Sequence, residues 1–282
     1  MMIDLPPPAA EVAVPAPRIA QMGRDGAGRP TISAMVNGKG PFDIVVDTAA
    51  QTTVLMPAAV SELGLKPLDG GMVVNGAVGS AQASFYPIDD FSTDLFKLDS
   101  VAMLALPNAA TTRAKAIIGV DEFAQGKLVF DRSKTQVRFE ASAPGAPGYV
   151  TVKGRVDDSG LLHVPLKVEG VEIEALVDSG AGETIANLAT LKALGWAEDD
   201  ARLKAGGQIR GATLNMAAAR IGEVALQVGP IRMQNVPMVF SDIGGDRPSI
   251  ILGSNLLNLF LAYAVDFPRA ELQIGTPKIA QP

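Results

Sequence analysis

Two stretches of the chain decide its fold, residues 42–50 (FDIVVDTAA) and residues 173–181 (IEALVDSGA). In each stretch an apolar run, typical of a buried strand, leads directly into an aspartate, Asp47 or Asp178. The same residue order in the two halves of a 282-residue chain indicates an internal repeat. We therefore expect an aspartate at the end of a strand twice, once in each half.

Further matches follow in the same order along both halves. Residues 116–119 (AIIG) match residues 250–253 (IILG), and residues 129–131 (VFD) match residues 264–266 (AVD). Since each half can form a compact unit of the same plan, the repeat predicts two homologous lobes related by pseudo-two-fold symmetry.

Each lobe is predicted to be mostly β. Runs at residues 32–36 and 164–168 are typical of strands, and each is followed by a turn pair, Asn37-Gly38 or Glu169-Gly170. Most of the remainder of each half consists of strand-like segments separated by glycines.

Short helices are predicted at matching places. A helical pattern that ends in glycine follows each aspartate, at residues 57–64 and 187–195. A second short helix is predicted to begin near Asp121 in the first half and near Ser254 in the second. The fold class is thus mostly β, with short helices.

The ends and the middle of the chain differ in composition from the lobes. Proline and alanine dominate the start, which predicts an extended tail, and a Pro/Gly/Ala-rich segment near the midpoint is interpreted as a linker. The predicted organisation is a disordered tail at 1–17, an N-terminal lobe at 18–142, a linker at 143–149, a C-terminal lobe at 150–277 and a tail at 278–282.

The composition argues against several classes of protein. A net charge of −6 without a cluster of Lys or Arg argues against a nucleic-acid partner. No apolar run is long enough to predict a membrane span. The chain has no cysteine and a single histidine, His163, without a G-x-S-x-G motif, so neither a thiol nucleophile nor a serine triad is indicated.

The expected compartment is the periplasm or the outside of the cell. The absence of cysteine is compatible with this location, and the Pro/Ala-rich start fits a spacer after a removed signal or anchor. The first residues lack both a basic and an apolar segment, so we expect no intact signal peptide.

Two aspartates at matching positions of a repeat indicate a specific chemistry. Pseudo-symmetry would bring Asp47 and Asp178 face to face, and two close carboxyls share one proton because both cannot ionise cheaply. Such a pair can take a proton from water while it gives another to a carbonyl oxygen. Hydrolysis of a peptide bond by this route needs no cofactor and no metal, and neither is predicted.

The sequence resembles a known family. Residues 178–181 (DSGA) resemble the D-[ST]-G-[AS] signature of aspartic peptidases, and residues 251–253 (ILG) resemble the apolar segment with glycine that supports their active-site loop. The first half repeats both, as residues 47–50 (DTAA) and 117–119 (IIG). The short lobes are similar to those of bacterial retropepsin-like peptidases of the single-chain, two-lobe type.

This resemblance implies roles for the matched residues. Asp47 and Asp178 would form the catalytic dyad, and the hydroxyls of Thr48 and Ser179 would hydrogen-bond across the lobe interface. The residues that would support the two loops are Thr48, Ala49, Ala50, Ser179, Gly180, Ala181, Gly119 and Gly253. The chain departs from the family at Ala49, where the family has glycine. If the loop requires a positive φ, alanine there costs about 1 kcal/mol.

Such an enzyme also needs a flap, a β-hairpin that closes over the substrate and excludes water. Glycine-rich segments at residues 70–79 and 206–212 are the candidates. The predicted flap and substrate residues are Val74, Asn75, Gly76, Ala77, Ile209, Arg210, Gly211 and Ala212. The implied partner is a peptide or protein substrate in the cleft between the lobes. One chain carries both aspartates, so a monomer is expected.

Two alternatives to an active peptidase remain open at this point. The first keeps the fold and loses the chemistry, as a catalytically weak or inactive protein that binds peptides, and Ala49 is the residue that favours it. The second is a structural or carbohydrate-binding β protein. A single tryptophan, Trp196, and three tyrosines give it little support, since such proteins present aromatic side chains on a binding face.

Overall fold

The structure is a computed structural model that describes residues 16–76, 79–106, 113–210 and 216–275. The predicted tails lie almost entirely outside the described residues, as do Ala77, Gly211 and Ala212 of the predicted flaps. Within the described range the protein is mostly β with a few short helices, so the predicted fold class is confirmed.

The strands repeat in two series along the chain. The first series is β1 (Arg18–Gln21), β2 (Gly23–Arg24), β3 (Pro30–Val36), β4 (Lys39–Val46), β5 (Val54–Leu55), β6 (Gly71–Asn75), β7 (Ser80–Thr93), β8 (Lys97–Ala105), β9 (Ala116–Ile118), β10 (Lys127–Asp131) and β11 (Gln136–Glu140). The second series is β12 (Tyr149–Lys153), β13 (Arg155–Val156), β14 (Leu162–Val168), β15 (Val171–Val177), β16 (Ile185–Ala186), β17 (Lys204–Arg210), β18 (Met216–Val228), β19 (Ile231–Ser241), β20 (Ser249–Leu252), β21 (Ala262–Asp266) and β22 (Glu271–Gly275).

Each lobe is an eight-stranded sheet, and the two sheets have the same topology. The first lobe has the order β2-β3-β4-β9-β5-β8-β7-β6, and the second has the order β13-β14-β15-β20-β16-β19-β18-β17. An additional pairing, β3 with β7 or β14 with β18, folds each sheet back on itself. The predicted pair of homologous lobes is therefore present strand by strand.

A third sheet joins the lobes, and the sequence did not predict it. Its order, β1-β11-β10-β21-β22-β12, takes three strands from each series. At its centre β10 and β21 are antiparallel, and Val129 pairs with Ala264, the matching residue of the repeat. The pseudo-two-fold axis therefore passes between these two residues.

The core runs through both lobes and the joining sheet. In β3 and β14 most alternate residues are buried, since one face of each outer sheet packs inward. In β10, β21 and β22 every residue is buried, because the centre of the joining sheet is covered on both faces, whereas its edge strands β1 and β12 are partly exposed. A single apolar cluster extends across both lobes, and a smaller one lies beneath the hairpin of β6 and β7.

The helices occur at the predicted places. Helix α1 (Pro57–Leu63) has proline in its first turn and ends at Gly64, whose φ of 68° is left-handed. Helix α2 (Leu188–Ala193) begins after Asn187, whose side chain accepts a hydrogen bond from the backbone N–H of Thr190. Both predicted helices are confirmed.

The second helix of each lobe differs from its counterpart. In the second lobe it is helix α3 (Ser254–Leu257), which begins directly after Gly253. In the first lobe it is a single 3-10 turn, Val120–Glu122, after Gly119.

Candidate active site

Asp47 and Asp178 each follow a strand that lies inside its sheet. β4 runs parallel to β9, and the backbone N–H of Asp47 donates to the carbonyl of Ile118 at 3.0 Å. β15 runs parallel to β20, and the N–H of Asp178 donates to the carbonyl of Leu252 at 3.0 Å. The apolar run before each aspartate thus fixes where its loop leaves the sheet.

Gly119 and Gly253 allow the active-site loops to pass close to their neighbours. A Cβ atom on Gly119 would lie 2.6 Å from the carbonyl carbon of Thr52, and one on Gly253 would lie 2.3 Å from the carbonyl oxygen of Glu183. Both separations are far below van der Waals contact, so only glycine fits. This close passage is the physical reason for glycine at the end of each apolar segment.

Ala50 and Ala181 carry the acceptors that tie these segments to the loops. The N–H of Val120 donates to the carbonyl of Ala50, and the N–H of Ser254 donates to the carbonyl of Ala181, both at 2.8 Å. The residues after Gly119 and Gly253 therefore hold the backbone of each loop in the same way.

Two threonines that sequence reasoning missed complete this support. Thr53 Oγ1 accepts from the N–H of Gly119 at 3.1 Å and donates to Asp121 Oδ1 at 2.9 Å. In the second lobe Thr184 does the same between Gly253 and Asn255, at 3.0 and 2.8 Å. The signal that could have found them is threonine at the same place in both halves of the repeat.

Thr48 and Ser179 bind the two loops to each other. Thr48 Oγ1 donates to the carbonyl of Val177 at 2.7 Å and accepts from the N–H of Ser179 at 3.0 Å. Ser179 Oγ donates to the carbonyl of Val46 at 2.7 Å and accepts from the N–H of Thr48 at 3.1 Å. Both residues are buried. Four reciprocal hydrogen bonds across the lobe interface thus hold the two aspartates at a fixed separation.

The carboxyl groups of Asp47 and Asp178 are close enough to interact through a hydrogen bond and through their charges. Asp47 Oδ1 also accepts from the N–H of Ala49, and Asp178 Oδ1 accepts from the N–H of Ala181, both at 2.8 Å. Each aspartate is half-buried, so the pair keeps a face open to solvent.

The surroundings raise the pKa of both carboxyls. Burial disfavours the charged form of Asp47 and raises its pKa, although hydrogen bonds and the charge of Arg29 oppose this increase. At Asp178 burial acts together with the negative charge of Asp47, and the pKa rises well above its usual range. Both shifts favour retention of a proton by the pair at a higher pH than by an isolated aspartate.

Gly180 and Ala49 occupy matching positions but meet different surroundings. A Cβ atom on Gly180 would lie 2.1 Å from Asp47 Oδ2, so a side chain there would collide with the carboxyl of Asp47. Neither Gly180 nor Ala49 has a positive φ, and the strain that such a φ would have imposed on Ala49 is absent. Close approach to Asp47, and not backbone conformation, requires glycine in the second loop.

The predicted flaps are hairpins whose strands the structure describes in part. β6 pairs with β7 up to Asn75 and Ser80, and the N–H of Gly76 donates to the carbonyl of Gly79. Val74 packs on the small apolar cluster that includes Val45 of the strand before Asp47. The first hairpin therefore lies against the active-site strand of its own lobe.

The tip of the first hairpin also faces the second lobe. An open cavity of about 440 Å³ is lined by the hairpin residues Asn75, Gly76, Gly79 and Ser80 and by residues 242–244 of the second lobe. In the second hairpin Ile209 and Arg210 lie on β17, opposite Ala217 and Met216 of β18. Ala77, Gly211 and Ala212 lie outside the described residues.

Comparison with known proteins agrees with the fold. Residues 32–121 and residues 164–256 each match a family model described as aspartyl protease. These segments cover more than half of the chain, and the protein belongs to the aspartyl protease family, with two retropepsin-like lobes in tandem. The family resemblance of the sequence is thereby confirmed. No curated protein matches the chain.

Two features are absent from the described residues. In that part of the chain no helix is long and apolar enough to cross a membrane. Among the same residues, no group of three or more His, Asp or Glu side chains is arranged to hold a metal ion.

Proposed function

We propose that the protein is an aspartic endopeptidase whose dyad, Asp47 and Asp178, activates a water molecule for attack on a peptide bond. The observation that carries this proposal is the contact between the two carboxyls, held by the reciprocal bonds of Thr48 and Ser179. A protein that only binds peptides has no need of two carboxyls held against their mutual repulsion. Membership of the aspartyl protease family supports the same conclusion.

The chemistry follows from a pair that holds one proton. The ionised carboxyl takes a proton from water, and the water oxygen bonds to the carbonyl carbon of the substrate. The protonated carboxyl gives its proton to the carbonyl oxygen, which relieves the negative charge that develops there. The C–N bond then breaks as the carboxyl that took its proton from water gives it to the amide nitrogen. The other carboxylate takes a proton from a hydroxyl of the tetrahedral intermediate, so the pair again holds a single proton.

The substrate is proposed to bind in an extended conformation between the lobes, under the hairpins. Met72 and Val73 of the first hairpin and Met216 of the second are about half exposed, and they offer apolar surface to side chains on either side of the cut bond. Apolar residues flanking the cleaved bond are therefore expected. Cleavage mainly between charged residues would count against this arrangement.

A peptide library tests the activity directly. The protein is incubated with the library with and without pepstatin, and the products are identified by mass spectrometry. We expect endoproteolytic products that pepstatin suppresses. Asp47→Asn and Asp178→Asn should each abolish cleavage with the fold retained, because an amide can carry out neither proton transfer. Near-normal turnover by either variant would refute the assignment of the dyad.

A further inference from the structure

The turn between β2 and β3 reaches from the first lobe to the active-site loop of the second. The carbonyl of Gly28 accepts from Asn258 Nδ2 at 2.9 Å, and Arg29 Nη1 donates to the carbonyl of Gly180 at 3.3 Å. Asp25 Oδ1 accepts from the N–H groups of Ala27 and Arg29, which fixes the turn. Arg29 is therefore held in place next to a loop that belongs to the other lobe.

The guanidinium of Arg29 is buried, with only 8% of the residue exposed. Its Nε and Nη2 atoms donate to Asp25 Oδ2 at 2.8 and 2.5 Å, so the carboxylate occupies one side of the group. The other side, Nη1, contacts Gly180, where a Cβ atom would lie only 2.1 Å from Asp47. The ion pair thus directs its positive end toward the part of the loop that touches Asp47.

The second lobe has the same turn without the cation. Between β13 and β14, Asp157 Oδ1 accepts from the N–H groups of Ser159 and Leu161, as Asp25 does in the first lobe. Leu161 stands at the position of Arg29, and Asp157 Oδ2 binds His163 Nε2 at 2.8 Å instead. The pseudo-symmetry of the site is therefore broken at one charged side chain.

We propose that Arg29 keeps Asp47 ionised and leaves the shared proton of the dyad on Asp178. A nearby positive charge favours the charged form of a carboxyl. Arg29 places such a charge beside Gly180, the residue that approaches Asp47, whereas the matching position of the second lobe holds the uncharged Leu161. In a symmetric pair the proton would have no preferred carboxyl. Arg29 is thus a positioning residue, which exchanges no proton itself.

Other groups around the dyad are compatible with this assignment. Burial raises the pKa of Asp47 while Arg29 lowers it, whereas at Asp178 burial and the charge of Asp47 both raise the pKa. Tyr263 on β21 also interacts with Asp178, and burial raises the pKa of its phenol, so that it stays neutral. Arg24 and Arg132 interact with Tyr263, and neither is among the charges that act on Asp47 or Asp178 most strongly.

The inference rests on the proposed function and adds to it which carboxyl acts as the base and which acts as the acid. Asp47 is the group that takes the proton from the attacking water, and Asp178 gives its proton to the carbonyl oxygen. The two halves of the repeat would then no longer be interchangeable in the reaction.

The test is the dependence of kcat/KM on pH for one peptide that the enzyme cleaves. The acid limb of this pH profile reports protonation of the ionised carboxyl, Asp47. Arg29→Leu introduces the residue found at the matching position of the second lobe. Because it removes the positive charge, it should raise the pKa of Asp47 and move the acid limb to higher pH. Arg29→Lys keeps the charge and should leave the limb close to its original position. Arg24→Leu removes an equal charge from the same turn and should not move it.

These variants separate an electrostatic role from a structural one. A loosened site lowers the rate at every pH without shifting the limb. If Arg29→Leu does not fold, Arg29→Gln takes its place, because glutamine is neutral and retains a donor for the carbonyl of Gly180. An unshifted acid limb in the folded neutral variant would overturn the proposal.

Carbon-13 NMR of protein labelled at the aspartate carboxyls shows which carboxyl is protonated, and it needs no substrate. At a pH between the two limbs we expect a carboxylate signal that is lost in Asp47→Asn and a protonated carboxyl signal that is lost in Asp178→Asn. In Arg29→Leu the two signals should move toward each other. The opposite assignment in the wild-type protein would refute the inference.

The two experiments distinguish the failure of this inference from the failure of the proposed function. If Asp47→Asn and Asp178→Asn retain cleavage, the dyad is not the catalyst, whatever the NMR signals show. If both are inactive while Arg29→Leu keeps the wild-type acid limb and signals, the peptidase stands and only the role of Arg29 is wrong.

Discussion

Gly180→Ala should strongly lower the proposed peptidase activity through a single methyl group. A Cβ atom at this position would lie 2.1 Å from Asp47 Oδ2 and 2.2 Å from its Cγ, whereas side-chain Cβ atoms essentially never approach another heavy atom within 3.0 Å. Either the carboxyl or the loop must therefore move by roughly 1 Å. Neither moves freely, because the N–H of Ala49 donates to the Asp47 carboxyl and the hydroxyl of Ser179 donates to the carbonyl of Val46 in the other lobe.

The size of the effect follows from that displacement. A misplacement of about 1 Å in a catalytic group can cost about 100-fold in rate, which corresponds to about 2.7 kcal/mol of transition-state stabilisation. The loss should appear in kcat, because the methyl group disturbs the dyad and not the hairpins that would hold the substrate. KM should change little.

The assay is steady-state cleavage of one library-derived peptide, with urea unfolding as the check on folding. Ala49→Gly is the matched control, since it makes the reverse change at the corresponding position of the other loop. Ala49 has no positive φ, so glycine relieves no strain there. Because glycine gives the unfolded chain more conformational freedom, Ala49→Gly should lower the free energy of unfolding by about 0.5–1 kcal/mol. Its kcat should be at or above the wild-type value.

A folded Gly180→Ala enzyme with wild-type kcat would refute the reasoning. It would mean that the second loop can shift without moving Asp47. The close approach of position 180 to the Asp47 carboxyl would then not be the reason for glycine there. A loss confined to KM would likewise contradict it.

Further predictions concern pH, stability and assembly. The rate profile should be bell-shaped and extend toward neutral pH, because the singly protonated pair is active and burial raises the pKa of both carboxyls. Glu271→Gln should lower the free energy of unfolding at pH 7 by about 1–2 kcal/mol, since hydrogen bonds from Arg269 and Lys153 outweigh burial and lower the Glu271 pKa to about 2. That difference should vanish as the pH falls from about 4.5 to about 2, where the folded carboxylate also takes up its proton. Tyr263→Phe should preserve the urea midpoint or raise the free energy of unfolding by about 1 kcal/mol, because the buried hydroxyl has no hydrogen-bond partner among the described residues. Specific activity should not change on dilution, because one chain carries both aspartates.

A specific result would contradict each of these predictions. A rate that rises steadily into alkaline pH would exclude a pair with a shared proton. Glu172→Gln, at an exposed position of β15, controls for the loss of one acidic charge, and an effect equal to that of Glu271→Gln would remove the special role of the buried carboxylate. Destabilisation of Tyr263→Phe would show that the hydroxyl is paired, and loss of activity on dilution would indicate an obligate oligomer.

Local sequence was sufficient for much of the fold. The repeat, the strands before Asp47 and Asp178 and the helices after them are coded by short patterns of apolar residues, prolines and glycines. Family resemblance added the two loops and the pairing of their hydroxyls. The strands and helices could be predicted because each depends on residues close together in the chain and occurs in both halves of the repeat, whereas the pairing of the hydroxyls across the lobes came only from the family resemblance.

The tertiary structure decided what depends on distant residues. The joining sheet unites strands from both ends of each series, and its register, Val129 with Ala264, has no local signature. The requirement for glycine at position 180 arises from contact with Asp47 in the other lobe, and not from the backbone angles that sequence reasoning considered. No pattern in the sequence singles out Arg29, but folding buries it beside the loop of Gly180. A repeated sequence predicts a symmetric site, whereas the charges that break the symmetry act through space and become visible only when the two lobes are brought together.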